Sequence, residues 1–258
     1  MSFTVERIEL YILIFVRMAS FIAVAPFFGV SNIPIRVKAG LSLFLTILVV
    51  QITTYVPLDY QGSIGYASLV VREAITGILI GYMANICSYI INFAGQIIDM
   101  EVGFSMVNVL DPVSKIETTI TGNYYSYMVM LMMIVTNMYH FVIKAIFDSF
   151  KLIPIGEAVF SPNLYVVMSR FMGDYFIIGF RIVLPIFASL LMVNVVLGIL
   201  AKIAPQMNMF VIGMQLKVFV GLFILFLIVS TIPTISDFIF EEMQTMTNLI
   251  LKALTPAQ

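Results

Sequence analysis

The chain has 258 residues, 61% of them hydrophobic and 10% charged, with a formal net charge of −1 and a mean hydropathy of +1.08. Such a composition excludes an ordinary water-soluble fold and points to an all-α, hydrophobic, membrane-associated protein. A near-neutral balance with no basic cluster excludes nucleic acid as a partner.

The opening MSFTVERIELYILIF has no basic n-region and no small-residue cleavage site after its apolar run, so it reads as a retained segment rather than a removed signal. Six stretches are long enough to cross a hydrocarbon layer of about 30 Å, which takes about 20 helical residues. They run from Ile8 to Ala25, Ala39 to Tyr55, Tyr66 to Phe93, Tyr124 to Ile146, Tyr175 to Leu200 and Phe210 to Ile232. PFFGVSNIP, VPLDYQG and IPIGEAVFSPN punctuate them as turns between helices rather than linkers between domains. One domain over 1–258 is expected. Lys and Arg fall almost evenly on the two sides of simple alternating spans, so charge sets no orientation. The stretches need not all be conventional spans.

Four charges inside these stretches stand out: Arg17, Arg72, Glu73 and Arg181. An arginine at mid-membrane costs about 2.5–3.5 kcal/mol on insertion scales, so it normally faces protein or water. Arg17 and Arg181 are candidates for buried contacts with a partner helix. Arg72 and Glu73 are neighbours, about 100° apart on a helix; they mark either a helix end at the interface or further buried contacts.

Ala74, Gly77, Gly81, Ala84, Ser88, Asn92, Gly95 and Asp99 recur at steps of three and four and predict a close-packing helix face. Asp99 and Glu101 then lead to Gly103, followed by Phe104, Ser105, Met106, Val107, Asn108, Val109 and Leu110, too short to span anything. Asp111 and Pro112 suit an N-cap and first helical turn. The stretch from Gly103 to Leu110 reads as a loop between two helices. It is an ordinary exposed loop or one set in a pore, cavity or subunit interface; its apolar side chains favour the second.

No catalytic constellation is expected, and no cofactor or metal. His140 is the only histidine and Cys87 the only cysteine. Asp99 and Glu101, two residues apart, fall on different helix faces and make no dyad. No GxxxxGK[ST] phosphate loop occurs.

The ordered set Gly77-Ile-Leu-Ile-Gly81, Ala94-Gly95, Asp99, Gly103-Phe104-Ser105, Asp111-Pro112, His140, Ser149 and Pro154, closed by AKIAPQMNMFVIGMQLK from Ala201 to Lys217, resembles the FliR family of bacterial type III protein export. The likeness runs from about Pro26 to Thr231 and implies a non-enzymatic flagellar export-gate subunit. It implies assembly with FliP-family and FliQ-family subunits in the basal body at the bacterial inner membrane, largely at its outer face. FlhB and FlhA are the implied neighbours, and unfolded proteins the implied cargo. By the same likeness the loop from Gly103 to Pro112 is a plug in the assembled channel, and Pro205, Gln206, Asn208 and Phe210 form a C-terminal signature, a helix-breaking turn that fixes subunit packing. An injectisome subunit of the same family, a small-solute transporter with a site near Asp99 and Glu101, and a purely structural scaffold are the alternatives.

Overall fold

A computed structural model describes residues 5–29, 33–53, 58, 60–104, 119–160, 162–206 and 208–256. Its helices are α1 (Val5–Val24), α2 (Ile35–Ile52), α3 (Gly62–Ala84), α4 (Ile86–Val102), α5 (Ile120–Val135), α6 (Met138–Leu152), α7 (Asn163–Ile203), α8 (Met209–Ile228) and α9 (Ile232–Leu254). A 3-10 turn at Val229–Thr231 joins the last two, and no strand occurs among the described residues. Ile35–Ile52, Gly62–Ala84, Asn163–Ile203 and the run Phe210–Leu254 are long and apolar enough to cross a membrane, and α5 with α6 makes a fifth candidate if taken as one broken span.

These elements divide the hydrophobic stretches more finely than hydropathy does. The stretch from Tyr66 to Phe93 breaks at Asn85, whose φ of −88° and ψ of 8° end α3. The stretch from Tyr124 to Ile146 breaks at Asn137, which takes a left-handed φ of 59°. Asparagine is a weak helix former and, after glycine, among the residues that best tolerate that region. A hydropathy window does not register either preference. The stretch from Tyr175 to Leu200 is the larger part of the 41-residue α7, with Pro185 inside it. α9 stands outside the six stretches because Asp237, Glu241 and Glu242 dilute its apolar face.

The helices gather into two compact units: Met1–Ile86 with Asn137–Met172 and Phe240–Gln258, and Cys87–Thr136 with Gly173–Ile239. In the first, α1 packs on α2 and α3, and α3 on α6. Leu10, Leu13, Ile14, Met18, Phe21 and Ile22 recur at helical spacing and form the buried face of α1. Tyr60 donates to the Glu9 carboxylate at 2.6 Å and Tyr66 to the Glu9 carbonyl at 3.1 Å, tying the start of α3 to α1. Met243, Met246, Ile250 and Leu254 bury the inner face of α9, and the Val159 N–H donates to the Leu254 carbonyl at 3.2 Å.

α1 and α3 touch backbone to backbone. A Cβ on Gly77 would lie 2.1 Å from Ser20 Oγ and 2.3 Å from the Arg17 carbonyl oxygen, and one on Gly81 would lie 2.9 Å from the Phe21 carbonyl oxygen. The contact steps from Arg17 to Phe21 as it steps from Gly77 to Gly81, so the two helices run parallel.

In the second unit, a Cβ on Gly95 of α4 would lie 2.2 Å from the Cα of Gly122 at the start of α5. The Phe93 ring sits over Gly179, with Tyr175, Phe176 and Phe180 centroids at 5.1, 5.3 and 5.5 Å. α8 meets α7 where Gly213 faces Leu197, and meets α4 where Gly221 faces Val102.

Gly77→Ala is expected to destabilise the purified chain by at least about 1–3 kcal/mol, since the opposing atom is a backbone oxygen with little freedom to yield. Gly173→Ala, on α7 with nothing within 4 Å of the added methyl, should leave the thermal midpoint unchanged or slightly higher. Equal midpoints for the two variants would contradict the close contact.

Candidate functional site

The most highly organised group of side chains centres on Arg17, fully buried at mid-length of α1 and paired with the equally buried Glu73 of α3. Arg17 Nε donates to Glu73 Oε2, and Nη2 to Oε1 at 2.9 Å. Its Nη1 donates to the carbonyls of Ser149 at 3.3 Å and Ile153 at 3.0 Å. The Ser149 carbonyl, which also accepts the Ile153 N–H at 2.9 Å, and the carbonyl of the C-cap Ile153 lie at the end of α6, where the helix dipole presents its negative pole. Glu73 Oε1 also accepts the Gly156 N–H at 2.7 Å, and the Phe150 ring lies 4.5 Å from the guanidinium carbon. One ion pair therefore joins α1, α3 and the turn after α6.

A second group lies where α4 meets α5. Asp99, 4% exposed, accepts the Thr121 N–H on both carboxylate oxygens, at 3.1 and 3.3 Å. It supplies from another helix the negative charge that a helix start favours. With Gly95 against Gly122, this clamp holds together the two ends of the sequence that runs from Gly103 to Thr119.

The remaining candidates disperse. Arg72 and Arg181 are exposed in the chain by itself. Arg72 donates to the Gly156 carbonyl at 3.4 Å, and Arg181 lies 4.9 Å from the Phe238 ring. Both have stems long enough to carry the guanidinium out along a helix surface. The series from Ala74 to Asp99 does not share one helix: Ala74, Gly77, Gly81 and Ala84 lie on α3, and Ser88, Asn92, Gly95 and Asp99 on α4. Gly77, Gly81, Gly95 and Asp99 are buried, whereas Asn92 is exposed.

Gly103 and Phe104 form the turn after α4; the rest of the expected plug, Ser105, Met106, Val107, Asn108, Val109, Leu110, Asp111 and Pro112, lies outside the described residues. Pro205 and Gln206 make the turn between α7 and α8, where Asn208 caps α8 by accepting the Val211 N–H at 3.5 Å and Phe210 is exposed. His140 is exposed near the start of α6 and stacks on Tyr139. No group of three potential metal ligands occurs among the described residues.

Gly122, Thr121 and Gly156 escape the sequence reading. Their roles depend on which distant helix faces them, and no local spacing encodes that.

The family described as Bacterial export proteins, family 1, matches residues 8–243. The chain is 30% identical over 257 residues to the flagellar biosynthetic protein FliR of Bacillus subtilis (strain 168), covering 97% of this chain and 98% of that protein. It is 28% identical to the FliR of Pectobacterium carotovorum subsp. carotovorum, over 93% and 92% of the two chains. The FliR of Escherichia coli (strain K12) is 26% identical, over 91% and 90%.

Arg17→Met alone, or Glu73→Leu alone, should cost about 3–5 kcal/mol, because each strands the other charge in the interior. The double replacement is expected to lie nearer the native chain than either single variant; a double-mutant cycle with no coupling would refute the pair's role. Burial pushes the Cys87 thiol up to about 11, so little thiolate exists at pH 8. Maleimide labelling should be slow in the folded protein and fast after denaturation.

Proposed function

The chain belongs to family 1 of the bacterial export proteins, the FliR family, and is a membrane protein of the flagellar export apparatus; from that premise we propose that it is a subunit of the gate through which unfolded flagellar proteins leave the cell. The family is a transport component rather than an enzyme family. Its proposed partners are FliP-family and FliQ-family subunits in one hetero-oligomer, with FlhB and FlhA beside them. Its proposed place is the basal body in the inner membrane, largely at the outer face. The whole chain acts there as one functional domain.

The apolar sequence from Gly103 to Leu110, with Asp111 and Pro112, is proposed as the plug that closes the lumen at rest and yields to an arriving substrate. What carries this reading is the clamp at its base. Asp99 on Thr121 and Gly95 against Gly122 hold α4 and α5 together, so the intervening sequence leaves and returns at one fixed point. Strain on the loop would then be taken up in the loop and not passed to the helices. The turn at Pro205 and Gln206 with the Asn208 cap is proposed to set subunit packing, by fixing where α8 starts.

Large side chains left uncovered on α2, α7 and α8, among them Phe44, Phe187, Phe219 and Phe226, exceed what a water-soluble surface carries. They fit helices enclosed by lipid and by other subunits.

Deleting residues 104–110 should leave the co-purified complex intact and raise ion leak across the membrane. An assembled complex with no added leak would reject the plug and leave a scaffold. Solute uptake by the purified chain without partners would support a transporter instead.

A further inference from the structure

The outward face of α6 is polar along its whole length. Asn137 at its N-cap, then His140, Lys144, Asp148 and Lys151, recur at steps of three and four and so fall within about 80° of one another around the axis. His140, Lys144 and Lys151 are exposed. Val142, Ala145, Ile146, Ser149 and Phe150 lie on the opposite side and are buried. The part of α9 that belongs to the first unit repeats the pattern: Glu241, Thr245, Asn248 and Lys252 are exposed, and Met243, Met246, Ile250 and Leu254 are buried behind them.

α2 of the same unit is built the other way. Its uncovered face carries Val37, Leu43, Phe44 and Ile47, with Arg36 at one end and Gln51 at the other. A cation so close to a helix end carries its charge out to the interface on its own stem. The α6 stripe has no such escape. It runs about 21 Å from Asn137 to Lys151, and Lys144 stands midway. If this side faced the middle of a hydrocarbon layer, Lys144 alone would cost about 2.5–3.5 kcal/mol, with His140 and Asp148 one turn to either side. Nor does α6 need lipid, since its apolar side is already buried in the unit's own core.

The pattern of charge selects the occupant. Both signs occur on each stripe, Lys144 with Asp148 on α6 and Glu241 with Lys252 on α9. Lys151 and Asp148 form an exposed ion pair at 3.3 Å. Mixed charges laced along a helix face suit bulk water; an anionic headgroup layer would meet carboxylates as well as cations.

We propose that the outer faces of α6 and α9 border an aqueous space in the assembled protein, so that α6 is a wet wall and not part of a membrane span. The inference rests on the membrane placement of the chain and is independent of the plug.

The test places single cysteines at His140, Lys144, Asn248 and, for comparison, Phe44 of the full chain, in cells that still swim. Cys87 is buried, and the chain without a new cysteine measures its background. Spheroplasts and opened membranes are treated with a membrane-impermeant sulfonated maleimide, which reacts with thiolate and so requires water at the thiol. In opened membranes His140→Cys, Lys144→Cys and Asn248→Cys should label about tenfold or more faster than Phe44→Cys. Labelling of intact spheroplasts would assign the water to the outer side of the membrane, and labelling only after opening would assign it to the cytoplasmic side. Rates no faster than that of Phe44→Cys would overturn the inference. So would fast labelling of the purified chain with slow labelling in opened membranes, which would show another subunit covering these faces. Recovery of the native chain in the soluble fraction would instead remove the membrane placement itself.

Discussion

The pairing of Arg17 with Glu73 is the constraint on which the first unit depends. Neither charge is tolerable alone in an apolar interior, and the pair is tolerated because its remaining hydrogen-bonding capacity is also used, by two carbonyls at the end of α6 and by the Gly156 N–H. Glu73 and Gly77 are four residues apart and share one face of α3. Gly77 sets how near α1 comes, and Glu73 sets where along the axis it stops. A slip of one turn in either direction would part the charges, and the slip that brings Glu73 opposite Arg17 would also drive a side chain into the Arg17 carbonyl, so separation and register are specified by the same few residues.

The second unit is organised by other means. Its closest approach, Gly95 on Gly122, is backed by a carboxylate serving a helix start, and its aromatic cluster forms where the Phe93 ring fits over Gly179. Its long helices leave much apolar surface uncovered, as α2 does in the first unit, where the inner faces of α1, α6 and α9 are well buried. Each unit has a core of its own, and each also presents apolar surface suited to lipid or other chains.

The helical, membrane-associated class was legible because a run of some twenty apolar residues has few other physical outcomes. Arg17 was legible for the opposite reason, as a charge where none should be. Its partner was not, since Arg72 and Glu73 are adjacent and hydropathy does not say which one turns inward. The glycines decide it: stepping back by four from Gly81 and Gly77 reaches Glu73, whereas the stripe of small residues steps by three to Ala74. The breaks at Asn85 and Asn137 were hidden because they rest on backbone preference inside apolar runs. The Asp99 clamp was legible only to the extent that its carboxylate marks a boundary, because the helix start it serves lies 22 residues further along the chain.

The last helix bears on the order in which the protein is made. α9 supplies Met243, Met246, Ile250 and Leu254 to the core of the first unit, and its final turn accepts the Val159 N–H. α1, α2 and α3 are synthesised before α9 and yet belong to a core that α9 completes. During translation the first unit must wait, with part of its inner face open, until the closing residues are released. A chain cut short before α9 would consequently lack not only a tail but the lid of its earliest-made part.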